Sequence, residues 1–383
     1  MKQGWEIKKL GEVCEVIGGS TPKTSDDTFW DGDYYWISPA ELDGSKYVYS
    51  TTRTITDAGV RSAHLQILPI GTVLLSSRAP IGKVAITKVP MYCNQGFKNL
   101  VCGKDLINEY VYWFLKHNTD YLNSLGTGAT FKEISKKVVE QIPIPVPPIA
   151  EQEKIVAELD CLSGIIEKKK QQLKELDNLA QSIFYEMFGD PVENDKGWEK
   201  KRLDEIGKVI TGNTPSTKDE SNYSSADYCF VKPSDIAKDS ISYISNTEFY
   251  VSEKAYINSR QLPKGSVLTT CIGIIGKVGI LQKDATCNQQ INAIIPNKDI
   301  DAKFLAHVLF MIRDVLTDVA NAPIVPIINK KEFSSVSIPV PLFSLQQDFA
   351  SKIESIEKQK ELIAKSIKET ETLFNSRMDY YFN

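Results

Sequence analysis

Hydrophobic and polar positions form two distinct patterns along the chain. In residues 1–147 and 191–341, short β-branched runs such as TVLL and KVAIT are bounded by glycine or proline, which is typical of strands. Residues 149–188 contain no proline and one glycine. Their apolar residues recur in alternating steps of four and three, the spacing of a coiled-coil seam. The pattern predicts two strand-rich globular regions, each followed by a long helix.

The two globular regions are copies of each other. GWEIKKLGEVCEVIGGSTPKTS at 4–25 aligns with GWEKKRLDEIGKVITGNTPSTK at 197–218, an offset of 193. LPIGTVLLSS and LPKGSVLTTC, then PIGKVAI and IIGKVGI, CNQ and CNQ, and IPVPP and IPVPL follow in the same order at an offset of 194. A period this long corresponds to a whole domain and not to a solenoid repeat. The sequence therefore predicts a tandem duplication.

The predicted fold class is α+β, with two mixed, strand-rich domains and two long helices. The predicted segments are a first domain at 1–147, a central helix at 148–190, a second domain at 191–341 and a carboxyl-terminal helix at 342–383. Further helices are expected at 108–125 and 302–320, where apolar residues recur with helical spacing.

The long helices are expected to pair with each other. At 1.5 Å per residue each measures about 55 Å, which exceeds one small domain. In a pseudo-two-fold arrangement the pair would be antiparallel; the alternative is that each helix lies on its own domain. The predicted seam consists of Ile155, Leu159, Leu162, Ile166, Leu173, Leu176, Ile183, Met187, Phe349, Ile353, Ile356, Ile363, Ile367 and Phe374.

Composition excludes several classes of protein. The 383 residues are 42% hydrophobic and 25% charged, as in soluble globular proteins. No apolar run approaches the about 20 residues of a membrane span, and the amino end lacks signal-peptide features. Seven scattered cysteines without CxxC and three histidines without partners at ligand spacing predict reduced thiols in a cytoplasm and no metal site.

Net charge does not by itself suggest a nucleic-acid binder. The chain carries −4, whereas such proteins are typically basic. Residues 148–190 account for most of this excess, with nine acidic and five basic side chains. The remainder is nearly neutral, so a local basic face is still compatible with the sequence.

No motif for catalysis is complete. The Gly-Lys pairs at 82–83 and 276–277 lack the spacing and the following Ser or Thr of a phosphate-binding loop. GxSxG, HExxH and GxGxxG are absent. The single Pro-Pro pair follows Val146, which cannot make the polar contact of a methyltransferase tetrapeptide. We expect no catalytic residues and no cofactor in this chain.

The ordered, duplicated set GWE.K.L.E, G.TP, LP.G.VL, IGKV, CNQ and IP.P, with a long helix after each copy, closely resembles a specificity subunit of type I restriction–modification systems. The resemblance covers essentially the whole chain. It implies that each copy is a target recognition domain for one half of a bipartite double-stranded DNA sequence. It also implies an antiparallel coiled coil that holds the half-sites near one helical turn apart, about 34–36 Å.

The resemblance also implies partners and ligands. The partners are two methyltransferase subunits and a restriction translocase subunit. S-adenosylmethionine, Mg²⁺ and ATP would be ligands of those partners, and the partner would flip out the adenine that is methylated. Three alternatives stay open: a system with fused methylase and nuclease, a coiled-coil scaffold without DNA readout, and a standalone modifying enzyme.

Candidate DNA contacts are polar residues of the predicted loops, because Arg, Lys, Asn, Gln, Ser and Thr contact base edges. Arg78 and Lys98 are preferred, since they correspond to Ile272 and Asn292 in the second copy and readers of different half-sites must differ. Asn94-Gln95 and Asn288-Gln289 recur in both copies, which favours a structural turn. The full set is Lys23, Arg78, Lys83, Asn94, Gln95, Lys98, Thr127, Thr130, Lys132, Lys218, Lys232, Thr270, Lys277, Asn288, Gln289, Gln290 and Lys330.

Overall fold

The computed structural model describes residues 4–128, 132–320 and 325–383. The chain divides into two compact units: Met1–Lys168 with Ser366–Asn383, here unit 1, and Lys169–Lys365, here unit 2. Each unit holds one copy of the globular domain and part of each long helix. The boundary between the units therefore lies within the helices and not at their ends.

Unit 1 begins with the first copy of the domain. Its strands are β1 (Glu6–Lys9), β2 (Cys14–Gly18), β3 (Trp30–Ile37), β4 (Tyr47–Val48), β5 (Arg53–Ile55), β6 (Val73–Leu75), β7 (Val84–Thr87), β8 (Tyr92–Cys93), β9 (Lys98–Cys102) and β10 (Pro143–Val146). Its helices are α1 (Leu10–Val13), α2 (Asp57–Ser62), α3 (Asn108–His117), α4 (Thr119–Ser124) and α5 (Lys136–Glu140), followed by the long α6 (Ile149–Phe188).

Unit 2 repeats this order. Its strands are β11 (Lys200–Arg202), β12 (Gly207–Thr211), β13 (Tyr228–Val231), β14 (Ser242–Ile244), β15 (Phe249–Val251), β16 (Val267–Thr270), β17 (Val278–Leu281), β18 (Ala285–Cys287), β19 (Ile291–Pro296) and β20 (Ser337–Pro339). Its helices are α7 (Leu203–Ile206), α8 (Glu253–Ile257), α9 (Ala302–Met311), α10 (Arg313–Asp318) and α11 (Lys330–Ser335), followed by the long α12 (Phe343–Phe382).

Sheet topology is the same in both units. In unit 1 the strands form a five-stranded sheet in the order β2-β9-β6-β7-β4, a three-stranded sheet β5-β3-β8 and a pair β1-β10. Unit 2 has β12-β19-β16-β17-β14, β15-β13-β18 and β11-β20. Within the described residues, only the outer pairs β4–β7 and β3–β8, and their counterparts in unit 2, run parallel. The predicted α+β fold class and the duplication are confirmed.

The five-stranded sheet of unit 1 is buried on both faces. Val73 and Leu75 of β6 face the core that contains α3, whereas Leu74 between them faces the core beside the three-stranded sheet. This alternation follows from the two-residue period of a strand. Because both faces are covered, β6 is a continuous apolar run and is fully buried.

The helices predicted at 108–125 and 302–320 are each divided in two. The chain leaves helical geometry at Asn118, with ψ of 21°, and at Ile312, with ψ of 16°. The side-chain Nδ2 of Asn118 donates to the carbonyl of Phe114 at 2.9 Å, which satisfies a carbonyl at the end of α3.

The two long helices pack together within each unit. In unit 1 the first part of α6 shares a core with the last part of α12 through Leu159 and Met378. In unit 2 the last part of α6 meets the first part of α12, where Phe184 contacts Phe349 at 5.5 Å between ring centroids. As the residue number increases along α6, the number of its contact on α12 decreases, so the pairing is antiparallel.

Every predicted seam residue is buried or half-buried. The prediction was incomplete at the end of α6, where Phe184 and Phe188 are almost fully buried while Ile183 and Met187 are half-buried. Both rings also contact Phe304 of α9, at 5.9 and 4.9 Å between centroids. The buried face turns toward the domain there, which a strict heptad count does not reproduce.

Polar contacts accompany the apolar packing between the helices. In unit 1 Arg377 Nη2 donates to Glu158 Oε2 at 2.9 Å, and the Tyr381 hydroxyl donates to the same oxygen. In unit 2 Lys360 Nζ lies 2.7 Å from Asp177 Oδ1. Across the described ranges, no helix combines the length and apolar character needed to cross a membrane.

Candidate nucleic-acid interface

Four polar loops of unit 1 meet at one place, which we call loop cluster 1. It comprises residues 19–23, 76–83, 94–98 and the described parts of 127–133. Backbone hydrogen bonds join the loops: Ser20 N to Cys93 O at 3.0 Å, Ser77 N to Gly96 O at 2.7 Å and Ile134 N to Ser77 O at 2.9 Å. The fold therefore gathers most candidates of the first copy on one surface.

Both preferred candidates bind the same carboxylate. Arg78 Nε lies 2.9 Å from Glu133 Oε2, and Lys98 Nζ lies 3.2 Å from Glu133 Oε1. Partial burial of Glu133 acts to raise its pKa, but the hydrogen bonds from Arg78 and Lys98 outweigh it and lower the pKa. The Arg78 side chain is 46% exposed and that of Lys98 is 12% exposed. Glu133 thus orients an accessible guanidinium and a largely covered ammonium.

In the turn at Asn94-Gln95, the first residue closes the turn and the second is exposed. Asn94 Oδ1 accepts from the Gly96 N–H at 2.8 Å, which closes the turn. Gln95 is exposed, and its Oε1 accepts from the Thr21 hydroxyl. The loop that carries Thr21 therefore holds the side-chain amide oxygen of Gln95.

Unit 2 contains the equivalent loop cluster 2, comprising residues 212–218, 270–277, 288–292 and 325–328. Asn213 N donates to Cys287 O at 2.9 Å and Cys271 N to Gln290 O at 2.8 Å. Thr214 Oγ1 donates to Gln289 Oε1 at 2.6 Å, the counterpart of Thr21 and Gln95. Asn288, a candidate for DNA contact, is instead buried: its Oδ1 accepts from Gln290 N at 3.1 Å and its Nδ2 donates to Gln290 Oε1 at 2.9 Å. The framework of the two clusters is the same.

A glycine is required where the first loop of each cluster crosses the CNQ turn. A Cβ on Gly19 would lie 2.1 Å from the Asn94 carbonyl oxygen, and one on Gly212 would lie 2.2 Å from that of Asn288. No real Cβ contact is this short, so only glycine permits the crossing. This explains the shared G in the G.TP motif.

The exposed chemistry of the two clusters differs. The bridge between Arg78 and Glu133 in unit 1 becomes a bridge between Ile272 and Ile327 in unit 2. Asn292, at the position of Lys98, is fully buried, and its Oδ1 accepts from Thr211 Oγ1 at 2.6 Å. A charged set in cluster 1 is therefore replaced by apolar and neutral side chains on the same backbone framework.

The Gly-Lys pairs shape a turn in both units. Gly82 and Gly276 have φ of +92° and +79°, a left-handed conformation that favours glycine. Lys83 Nζ donates to the carbonyl oxygens of Leu42 at 2.8 Å and Pro39 at 3.4 Å. Lys277 Nζ donates to that of Pro233 at 2.9 Å. Both lysines have a structural role, and their contact with DNA phosphate stays a prediction.

Thr270 requires a correction. Its side chain is fully buried. The hydroxyl donates to Ile274 O at 2.5 Å and accepts from Lys277 N at 3.1 Å. Thr270 holds the turn together and does not lie on the surface that DNA can reach.

The remaining candidates are mostly accessible. Lys232 is half-buried, with Nζ 3.1 Å from the centroid of the Phe249 ring, and Gln290 is half-buried beside Asn288. Thr130 lies outside the described residues. The exposed candidates are Lys23, Thr127, Lys132, Lys218 and Lys330. Their roles in DNA contact stay predictions.

Sequence reasoning missed Glu133, Thr21, Thr214 and Arg260. Arg260 N donates to Asn213 Oδ1 at 3.0 Å, and its guanidinium donates to the carbonyls of Thr211 and Gly212, so it fixes the first loop of cluster 2. Thr21 and Thr214 could have been found from the sequence, because both belong to the TP motif that the two copies share. No local pattern signalled Glu133 or Arg260, because their partners lie far away in sequence.

No group of three or more His, Cys, Asp or Glu side chains suited to a metal ion occurs among residues 4–128, 132–320 and 325–383. Burial raises the pKa of Cys93 and of Cys287 to about 12. A thiol with a raised pKa is a poor nucleophile at neutral pH. Both side chains are buried in apolar cores beside the three-stranded sheets, so the CNQ cysteines serve packing.

These features define a duplicated domain with two polar loop clusters and antiparallel helices. The model of the type I restriction modification DNA specificity domain matches residues 2–178 and 195–372. The chain belongs to this family and contains its domain twice.

Individual relatives agree with this assignment. The chain is 37% identical over 253 residues to the type I restriction enzyme MjaIX specificity subunit of Methanocaldococcus jannaschii, a match over 61% of this chain and 58% of that relative's length. It is 24% identical to the MjaVIII specificity subunit of the same organism, over 96% of this chain and 91% of the relative. The type I restriction-modification S subunit from M. genitalium has the same fold, with a TM-score of 0.61, 14% identity and coverage of 100% and 98%.

Proposed function

We propose that this chain is the DNA sequence-specificity subunit of a type I restriction–modification complex. Loop cluster 1 binds one half of a bipartite duplex target and loop cluster 2 binds the other half. The observation that carries the proposal is the contrast between a backbone framework that both clusters share and exposed side chains that differ. Gly19 and Gly212 hold the same crossing, whereas Arg78 and Ile272 present different chemistry at matching positions.

This contrast favours recognition over a purely architectural role. Phosphate contacts position a protein on DNA, whereas side chains at base edges specify the sequence. A framework held by backbone bonds and buried amides keeps its shape while exposed side chains change. Two such sites in one chain suit a target made of two different half-sites.

The long helices supply the spacing of the half-sites in this proposal. They also provide the docking surface for two methyltransferase subunits, and a restriction translocase subunit joins the complex. The partners bind S-adenosylmethionine, ATP and Mg²⁺ and perform adenine methylation and cleavage, whereas this chain has no catalytic residue. The cytoplasm is the compartment where such a complex meets the chromosome.

Methylome sequencing tests the proposal. Cells that express this chain with its methyltransferase should acquire adenine methylation at one bipartite motif, and cells with the methyltransferase alone should not. A motif without two halves, or no change, would contradict the proposal. A purified chain that transfers methyl groups without partners would instead favour a standalone enzyme.

A heptad deletion tests the role of the helices. Removal of residues 165–171 together with 357–363 takes two turns from each helix. The spacer of the motif should then change while both half-sites stay the same. If the half-sites change and the spacer does not, the helices do not set the spacing.

A further inference from the structure

Loop cluster 2 exposes an apolar patch, which consists of Ile272, Ile274, Val325 and Ile327. Ile274 is 55% exposed, Val325 46% and Ile327 41%, and Ile272 is half-buried. The Gly273 N–H donates to the Pro326 carbonyl at 3.1 Å, and Ile328 N donates to Cys271 O at 3.0 Å. The two loops that carry the patch are therefore held side by side.

The surroundings of the apolar patch indicate its occupant. Gln290 lies beside it, because its carbonyl accepts from the N–H of Cys271, the residue before Ile272. Lys330 and Lys331 are exposed at the start of α11, immediately after the second loop. Clustered exposed apolar side chains mark an interaction site, and amides and cations around them suit DNA better than an apolar protein surface.

An A·T pair presents complementary groups in the major groove. Thymine shows its C5-methyl group there, and adenine shows N7 and N6, which Gln recognises. In the described part of cluster 2, the bridge between the loops is formed by two aliphatic residues, Ile272 and Ile327. The neighbouring Gln290 amide accepts from Asn288 Nδ2 through Oε1 at 2.9 Å, so its Nε2 is the donor it offers to adenine N7. These are the two chemistries that an A·T pair requires.

Cluster 1 has the opposite character at matching positions. Arg78 stands where unit 2 has Ile272, Glu133 where it has Ile327, and Gly96 where it has Gln290. Within the described residues Glu133 takes the Arg78 Nε, which leaves Nη1 and Nη2 for a guanine, the base that Arg prefers. The two clusters are thus chemically suited to different base pairs.

We propose that unit 2 recognises thymine in its half-site by contact between the apolar patch and the C5-methyl group. Unit 1 uses no such contact and recognises its half-site through the guanidinium of Arg78. This inference rests on the proposed function and assigns the kind of base that each unit selects.

Uracil substitution tests the methyl contact directly, because uracil is thymine without its C5-methyl group. The full chain in complex with its methyltransferase is titrated with unmodified duplexes that carry the motif identified by methylome sequencing. Thymines are replaced by uracil in one half-site at a time. We expect the affinity to fall about fourfold per contacted methyl group in one half-site, and less than twofold in the other.

Two variants assign the sensitive half-site to its unit. Ile327→Ala should lower the affinity for the thymine duplex and remove the sensitivity to uracil, whereas Arg78→Ala should leave that sensitivity unchanged. Ile257→Ala is the matched control, since Ile257 is 60% exposed in unit 2 but lies outside loop cluster 2. Thermal unfolding of each variant shows that the fold is retained.

The outcomes separate this inference from the proposed function. Sequence-selective binding without uracil sensitivity, or with sensitivity that survives Ile327→Ala, overturns the methyl contact and leaves the proposed function standing. Loss of methyltransferase binding in Ile327→Ala without a change in base preference identifies the patch as a protein interface and also overturns it. A complex without any sequence-selective binding contradicts the proposed function itself.

Discussion

Phe349 is the centre of the contact between the long helices in unit 2. Its side chain is fully buried. Its ring lies 5.5 Å from that of Phe184, 5.3 Å from Phe188 and 5.0 Å from His307, measured between centroids. Truncation to alanine would remove all three contacts and leave a cavity between α6, α9 and α12.

The expected cost of Phe349→Ala is large. A buried aromatic side chain covers about 150–250 Å², which at about 25 cal/mol per Å² corresponds to about 4–6 kcal/mol. Alanine retains part of this area, and Phe→Ala substitutions in cores typically cost about 3–5 kcal/mol. We expect the free energy of unfolding of unit 2 to fall by about 3–5 kcal/mol.

Urea denaturation combined with hydrogen exchange measures this effect. Exchange of peptides from 343–360 and 177–188 should accelerate together, because both sides of the contact are loosened. Leu362→Ala is the control on the same helix: Leu362 is 69% exposed, and its substitution should cost less than about 0.5 kcal/mol. If both variants lose less than about 1 kcal/mol, the helices are not held together by this cluster.

Three further predictions concern single positions. Gly164→Ala should raise the free energy of unfolding by about 0.5–1 kcal/mol in urea denaturation. A Cβ at this position meets no atom within 4 Å, and Gly is unfavourable inside a helix. A loss of stability would contradict the described packing. Burial lowers the pKa of His307 from 6.5 to about 4, so the unfolded chain binds more protons than the folded chain between these pH values. The free energy of unfolding of unit 2 should therefore fall as the pH falls from 6.5 to 4. His307→Gln should flatten this pH dependence, and an unchanged pH profile would refute the prediction. Lys83→Met should destabilise unit 1 by about 1–3 kcal/mol in urea denaturation, because it removes the Lys83 donor from the carbonyl oxygen of Leu42. A smaller salt dependence of DNA binding without loss of stability would instead support a phosphate contact.

The duplication and the type of each main element were predictable from sequence, because they depend on local pattern. Strands β6, β7, β16 and β17 lie within the predicted β-branched runs. The long helices occupy the proline-free segments, and each seam residue is covered. Local side-chain periodicity specifies which face of an element is apolar, and two similar sequences adopt the same topology.

Tertiary structure decided which candidate side chains are accessible. Arg78, Lys98 and Glu133 are separated by up to 55 residues, and only the fold makes them one hydrogen-bonded set. Thr270 is polar and next to a loop, yet it is buried because its hydroxyl closes a turn. The polarity of a side chain indicates which hydrogen bonds it can form, whereas the fold determines its partners and whether it is accessible.

The end of α6 also separates what the sequence predicted from what the tertiary structure decided. Heptad spacing determined that one face of this helix would be apolar, and it placed Ile183 and Met187 on the seam. Contact with Phe304 turned the buried face toward Phe184 and Phe188. A sequence pattern defines the apolar positions of a helix, but the neighbours that cover them come from distant parts of the chain and are set by the assembled fold.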